Sequence, residues 1–146
     1  MKKLYYSAFT YLIIGLISGV TWRELTKILD VAEPTALGTV HTHLLVLGFV
    51  MFLIFMIFEK LFQISKTEKF TSFFVLYHVG VALSSVMMFI RGFISMQEIR
   101  GALNLSNGLN SAISGMAGIG HMILAVGLIL FMLVLKERLF GKKQLD

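Results

Sequence analysis

Four uncharged runs dominate the chain, Leu4 to Trp22, Thr35 to Phe58, Phe70 to Ile90 and Ser111 to Leu135, and the charged residues gather between them. Each run holds roughly 19 to 25 residues, the length a helix needs to cross a ~30 Å hydrocarbon layer. The pattern predicts an all-α fold, a four-helix transmembrane bundle forming one domain over residues 1–146. Between the runs, Arg23 to Pro34 reads as a polar connection. Its Leu25, Ile28 and Leu29 recur at helical spacing and suit a short interfacial turn, and Pro34 suits the first position of the second helix. Glu59-Lys60 and Lys66-Thr-Glu68-Lys69 close the second run, and Gly92 to Asn110 reads as a longer loop containing Asn104-Leu-Ser-Asn-Gly108.

Composition agrees with the pattern. With 57% hydrophobic and 14% charged residues and a mean hydropathy of +0.84, 146 residues do not fold as a soluble domain. The net charge of +5 resembles a basic binding surface until the lysines and arginines are placed. Two precede the first run, three lie between the second and third and four follow the fourth, nine in all against two and two in the remaining connections. By the positive-inside rule both termini face the cytoplasm of a bacterial plasma membrane, and the charge reports orientation rather than nucleic-acid binding. Met1-Lys2-Lys3 and the apolar run after it have the look of a secretory signal. Trp22-Arg23-Glu24 is a poor cleavage site, however, and Gly15-x-x-x-Gly19 with Ser18 beside it is the small-residue pattern of a retained, packed membrane helix.

The candidate chemistry lies in the histidines. All four, His41, His43, His78 and His121, fall inside the apolar runs, where an ionisable side chain is costly and asks for a partner. There is no cysteine, which excludes disulfides, thiolate-bound metal, iron–sulfur clusters and covalent heme attachment. On helical wheels His121 shares a face with Ser114, Gly118 and Ala125, His78 with Ala82 and Ser85, and His41 with Gly38 and Gly48. Small residues mark packed faces, so these three histidines are expected to point into the bundle. His43 lies about 200° round the helix from His41, beside Val46, Leu47, Val50 and Ile54, and suits a polar contact near the outer boundary or a protomer interface. A b-type heme held by two imidazoles needs ligands on different helices at similar depth. Measured from the outer ends, His41 lies ~10 Å deep, His121 ~15 Å and His78 ~18 Å, which allows His41 or His78 to pair with His121. Arg23, Arg91, Arg100 and Trp22 fall at the outer boundary, where heme propionates need charge partners and where interfacial anchors also belong. The Phe and Met residues equally suit a porphyrin pocket or a lipid-facing surface and decide nothing.

The segment His41-Thr-His-Leu-Leu-Val-Leu-Gly48-Phe resembles helix two of the catalytic subunit of heme-copper oxidases, closest to the C-type enzymes and the nitric oxide reductases. Gly15-Leu-Ile-Ser-Gly19-Val similarly resembles helix one of that subunit, so the likeness covers about residues 8 to 58. The resemblance implies that His41 ligates a low-spin heme b. The copper site with its neighbouring tyrosine is missing, and so is most of the twelve-helix core, which makes oxygen reduction by this chain alone unexpected. The chain as a whole also resembles a small, uncharacterised four-helix membrane family of Gram-positive bacteria. Together these readings predict a cytochrome b-like, oligomeric membrane protein binding heme b through His41 and His121, with His78 as substitute ligand. It would act in electron transfer with a quinone or respiratory partner, or in sensing or handling heme or a diatomic gas. Two other classes use the same residues differently. A Cu or Zn binding or transport protein would use His41, His43, His78 and His121 as metal ligands, and a structural or assembly subunit would need no cofactor.

Overall fold

A computed structural model describes residues 1–141, and Lys142 and Lys143 of the basic tail lie outside the described residues. Among the described residues there are four long helices and no strand: α1 (Lys2–Ile28), α2 (Leu37–Phe62), α3 (Phe70–Ile99) and α4 (Asn107–Phe140). All four are long and apolar enough to cross a membrane. Each continues past the C-terminal end of its uncharged stretch, where polar and charged residues at helical spacing extend the backbone hydrogen bonding. Arg23 and Lys27 thus belong to α1, which stops where Asp30 turns left-handed with φ 52°. Helix α2 starts at Leu37, three residues beyond Pro34. Most of the expected Gly92–Asn110 loop is helix, broken only around Gly101 at φ +69°, and Ser106 caps α4 by accepting the Leu109 amide.

The helices run alternately up and down, so one end collects Lys2, Lys3, Lys60, Lys66, Lys69, Lys136 and Arg138. This basic end is tied by Arg138 Nε donating to the Phe62 carbonyl at 2.7 Å and by Lys69 near Glu137 at 4.0 Å. The bundle is not a closed square. By close backbone approach α1 meets only α2, α2 also packs on α3, and α3 packs along α4, while α1 reaches α3 through side chains. Helix α2 approaches α4 only through its Met51–Phe62 half, so the two diverge towards the other end, here called the far end.

Close packing rests on small residues at crossing points, as expected where lipid removes the hydrophobic drive between helices. A side chain at Gly80 would meet the Leu124 backbone at 2.5 Å, and one at Gly127 would meet Tyr77 Cα and N at 2.9 Å. The Gly15-x-x-x-Gly19 stripe faces α2, Gly15 against Leu45 and Gly19 against the His41 ring. Near the basic end, Phe52, Phe55, Phe73 and Tyr77 are wholly buried. Their rings meet edge-on at 4.9 Å (Phe55 with Phe73), 5.0 Å (Phe55 with Tyr77) and 5.6 Å (Phe52 with Tyr77). Such contacts contribute about 0.5–1.5 kcal/mol each beyond shape fit. The aromatic residues that carried no weight as composition are therefore the core.

Directly after His43, α2 changes to π-helical hydrogen bonding over Leu44–Val50. Bonding from i to i+5 widens the turn and shifts the phase of everything beyond it, a feature frequent at functional sites. Within this stretch Gly48 lies beneath the Tyr11 ring, and the Leu47 carbonyl accepts the Tyr77 hydroxyl at 2.8 Å.

Candidate imidazole pair at the far end

The four histidines occupy three different environments. His78 is held between α1 and α3, with Ser7 Oγ 3.0 Å from Nε2 and Tyr11 Oη 2.9 Å from Nδ1. The single Ser7 hydroxyl hydrogen goes to the Lys3 carbonyl at 2.8 Å, so His78 Nε2–H donates to Ser7 and Nδ1 accepts from Tyr11. Phe52 stacks on the ring at 4.6 Å and Phe74 meets it edge-on at 4.5 Å. With both nitrogens engaged and two aromatic rings against it, the half-buried His78 joins α1 to α3 and offers no lone pair to a metal.

His41 turns to α1, stacked on Trp22 at a centroid distance of 5.7 Å and an interplanar angle of 14°. Its Nδ1 is buried without a partner, and its Nε2 lies 3.5 Å from Thr42 Oγ1, too far for more than a weak contact.

His43 points the other way, as the ~200° between them requires. Its ring centroid is 6.0 Å from that of His121 on α4, with the planes at 82°. His121 Nδ1 lies 2.8 Å from the Ala117 carbonyl. It must donate there, which fixes the tautomer and leaves Nε2 as a free lone pair, the arrangement typical of a metal-binding histidine. His43 makes no hydrogen bond among the described residues. The structure therefore brings His43 to His121, whereas helical wheels joined His41 or His78 to His121.

The expectation that His121 points into the bundle is corrected for an identifiable reason. Helix α4 carries two stripes of small residues. The one that packs on α3 includes Gly120 and Gly127, together with Ile113, Leu124 and Phe131, whereas Ser114, Gly118, His121 and Ala125 lie on the exposed side. Side chains built at Gly115 and Gly118 would meet nothing within 4 Å, so an open face adjoins the pair.

The arginines divide likewise. Arg91 donates to Asn110 Oδ1 and ties α3 to the start of α4, and Arg100 reaches Gln97 Oε1 at 3.3 Å. Arg23 sits exposed on α1, which touches neither α3 nor α4 by close backbone approach. Asn110, read from sequence as the end of a loop, is thus a partner of Arg91 in the first turn of α4. Among the described residues no group of three or more His, Asp or Glu converges on a metal-sized site, which leaves two-ligand chemistry as what this arrangement can support.

The donor set at this spacing is two imidazoles with no carboxylate beside them, a pair that would suit a two-ligand group better than a three- or four-ligand zinc site. Comparison with curated proteins gives no match, and neither does comparison with solved structures. A family model does match residues 1–138, nearly the full length, and the chain belongs to that family, described as Protein of unknown function (DUF2871).

Proposed function

We propose that this is a multi-pass membrane protein that binds heme b between His43 of α2 and His121 of α4, with both termini on the cytoplasmic side. The observation that carries the reading is the 6.0 Å spacing of two imidazoles across two helices, one of them with Nδ1 already committed to a backbone carbonyl. Side chains built at Gly115 and Gly118 would meet nothing within 4 Å, so the α4 surface next to His121 is bare. When bound, such a bis-imidazole group supplies one-electron transfer. The chain's own contribution is to hold two neutral imidazoles in place, to fix the His121 tautomer through Ala117, and to keep cationic Arg91 and Arg100 on the helix that packs along α4.

The oxidase resemblance implies His41 and not His43, so the assignment to His43 rests on its spacing to His121. The test is a visible spectrum of the purified protein, oxidised and dithionite-reduced, after expression with ample heme. A Soret band with sharp reduced α and β bands is expected. His43→Ala and His121→Ala abolish it, and His41→Ala and His78→Ala retain it. Colourless protein, or a band that survives His43→Ala and His121→Ala, overturns the assignment. Stoichiometric copper in a colourless, heme-free protein would instead favour a two-imidazole copper site.

A further inference from the structure

At the basic end, the first residues of α1 and α3 and the short turn Ile64–Lys66 bound a cavity of about 380 Å³. That volume falls within the ~300–1,000 Å³ of small-molecule sites. Lys2, Lys3, Ser65 and Thr71 form the polar part of its wall, and Leu4, Phe70 and Phe74 the apolar part. Lys2 and Lys3 are exposed and directly precede the uncharged run that starts at Leu4, which is only 1% exposed. In a helix that crosses a membrane this is the level of the lipid headgroups, where a lysine reaches water while its neighbours meet acyl chains.

The positive charge in that wall is unbalanced. Among the described residues neither lysine takes part in an ion pair, no acidic residue lines the cavity, and the first turns of α1 and α3 contain none. The acids closest in the chain do not supply the missing charge. Glu59 is occupied by Ser65, whose amide and hydroxyl donate to it at 2.8 and 2.6 Å, and Glu68 stays outside the wall. A second cavity at this end is built differently, because Lys69 and Lys136 share its wall with Glu137, which lies 4.0 Å from Lys69.

We propose that the cavity between α1 and α3 at the basic end holds the headgroup of an anionic glycerophospholipid, with its phosphate against Lys2, Lys3 and Thr71 and the start of its acyl chains against Leu4, Phe70 and Phe74. The two unpaired lysines select an anion by charge complementarity. The apolar part of the wall selects a lipid over free phosphate, which has no alkyl portion to place there. Proposed above to face the cytoplasm, this end meets the leaflet that carries the anionic lipids. The site rests on the membrane-spanning reading of the four helices and is independent of the histidines.

The test is native mass spectrometry of the full chain, released from detergent micelles during titration with dioleoylphosphatidylglycerol. One lipid should bind saturably, and neither dioleoylphosphatidylcholine nor inorganic phosphate should bind in its place. Lys2→Gln combined with Lys3→Gln should weaken binding about thirtyfold, the joint effect of two cations at a lipid surface. Thr71→Trp should abolish it by filling the cavity with the charge unchanged. Lys60→Gln combined with Lys136→Gln removes the same charge elsewhere at this end and should leave binding as in the parent. Circular dichroism and gel-filtration profiles matching the parent confirm that the variants are folded. Equal binding of phosphatidylcholine, equal occupancy by inorganic phosphate, or equal loss in both lysine pairs overturns the inference, as does the absence of saturable binding. A chain that stays dissolved without detergent overturns instead the membrane reading on which the site rests.

Discussion

The two ends of this bundle hold their histidines in opposite ways. At the basic half, His78 is enclosed by Phe52 and Phe74 and satisfied at both nitrogens by Ser7 and Tyr11, among rings that are wholly buried. At the far half, helices separate, His121 is exposed, and only one of its nitrogens is spoken for. A histidine with both nitrogens used is a fastener, whereas one with a lone pair left over is available for a ligand. Presence in a membrane span does not distinguish the two, but the count of hydrogen bonds does.

The contrast predicts a gradient of effects. The largest is spectroscopic, total loss of the Soret band in His43→Ala or His121→Ala, with a melting temperature of the heme-free protein within a few degrees of that of parent apoprotein. A large fall in apoprotein stability would make the far pair a fastener too and erase the distinction. Next, Gly127→Leu drives a side chain into the Tyr77 backbone 2.9 Å away and should cost more than ~3 kcal/mol, seen as loss of monodisperse protein on gel filtration. Phe52→Ala empties a fully buried site that also stacks on His78, and should cost about 3 kcal/mol by thermal unfolding in detergent. His78→Ala strands the Tyr11 hydroxyl and should cost about 1–3 kcal/mol while leaving any heme spectrum intact; loss of the spectrum would tie the two halves together. The smallest effect belongs to His41→Ala, which removes one ring stack on Trp22 and should cost about 1 kcal/mol, with a change in tryptophan emission.

Much of the architecture was legible without coordinates. Four apolar runs and the charges between them gave four helices, because a segment of that length without charge has few other stable forms in lipid. Gly15 and Gly19 were readable as a packing stripe, since their spacing repeats on one face. The ~200° separation of His41 from His43 was also readable, because it depends only on helix geometry within one turn. The aromatic core was the missed signal. Phe52, Phe55 and Phe58 on one helix and Phe70, Phe73 and Tyr77 on another repeat at three- or four-residue spacing, a periodicity that composition discards.

What the chain alone determined is therefore one-dimensional: the number and order of the helices, and the placement of four histidines within apolar runs. Which helices touch was decided by tertiary structure. Helices apolar on every side do not by themselves choose a face, and the choice falls to contacts such as Gly80 against Leu124 and Gly127 against Tyr77 that depend on the partner helix. Those contacts put α2 between α1 and α3, turned His41 to Trp22, and selected one of two small-residue stripes on α4 for packing. The other stripe kept His121 free to meet His43.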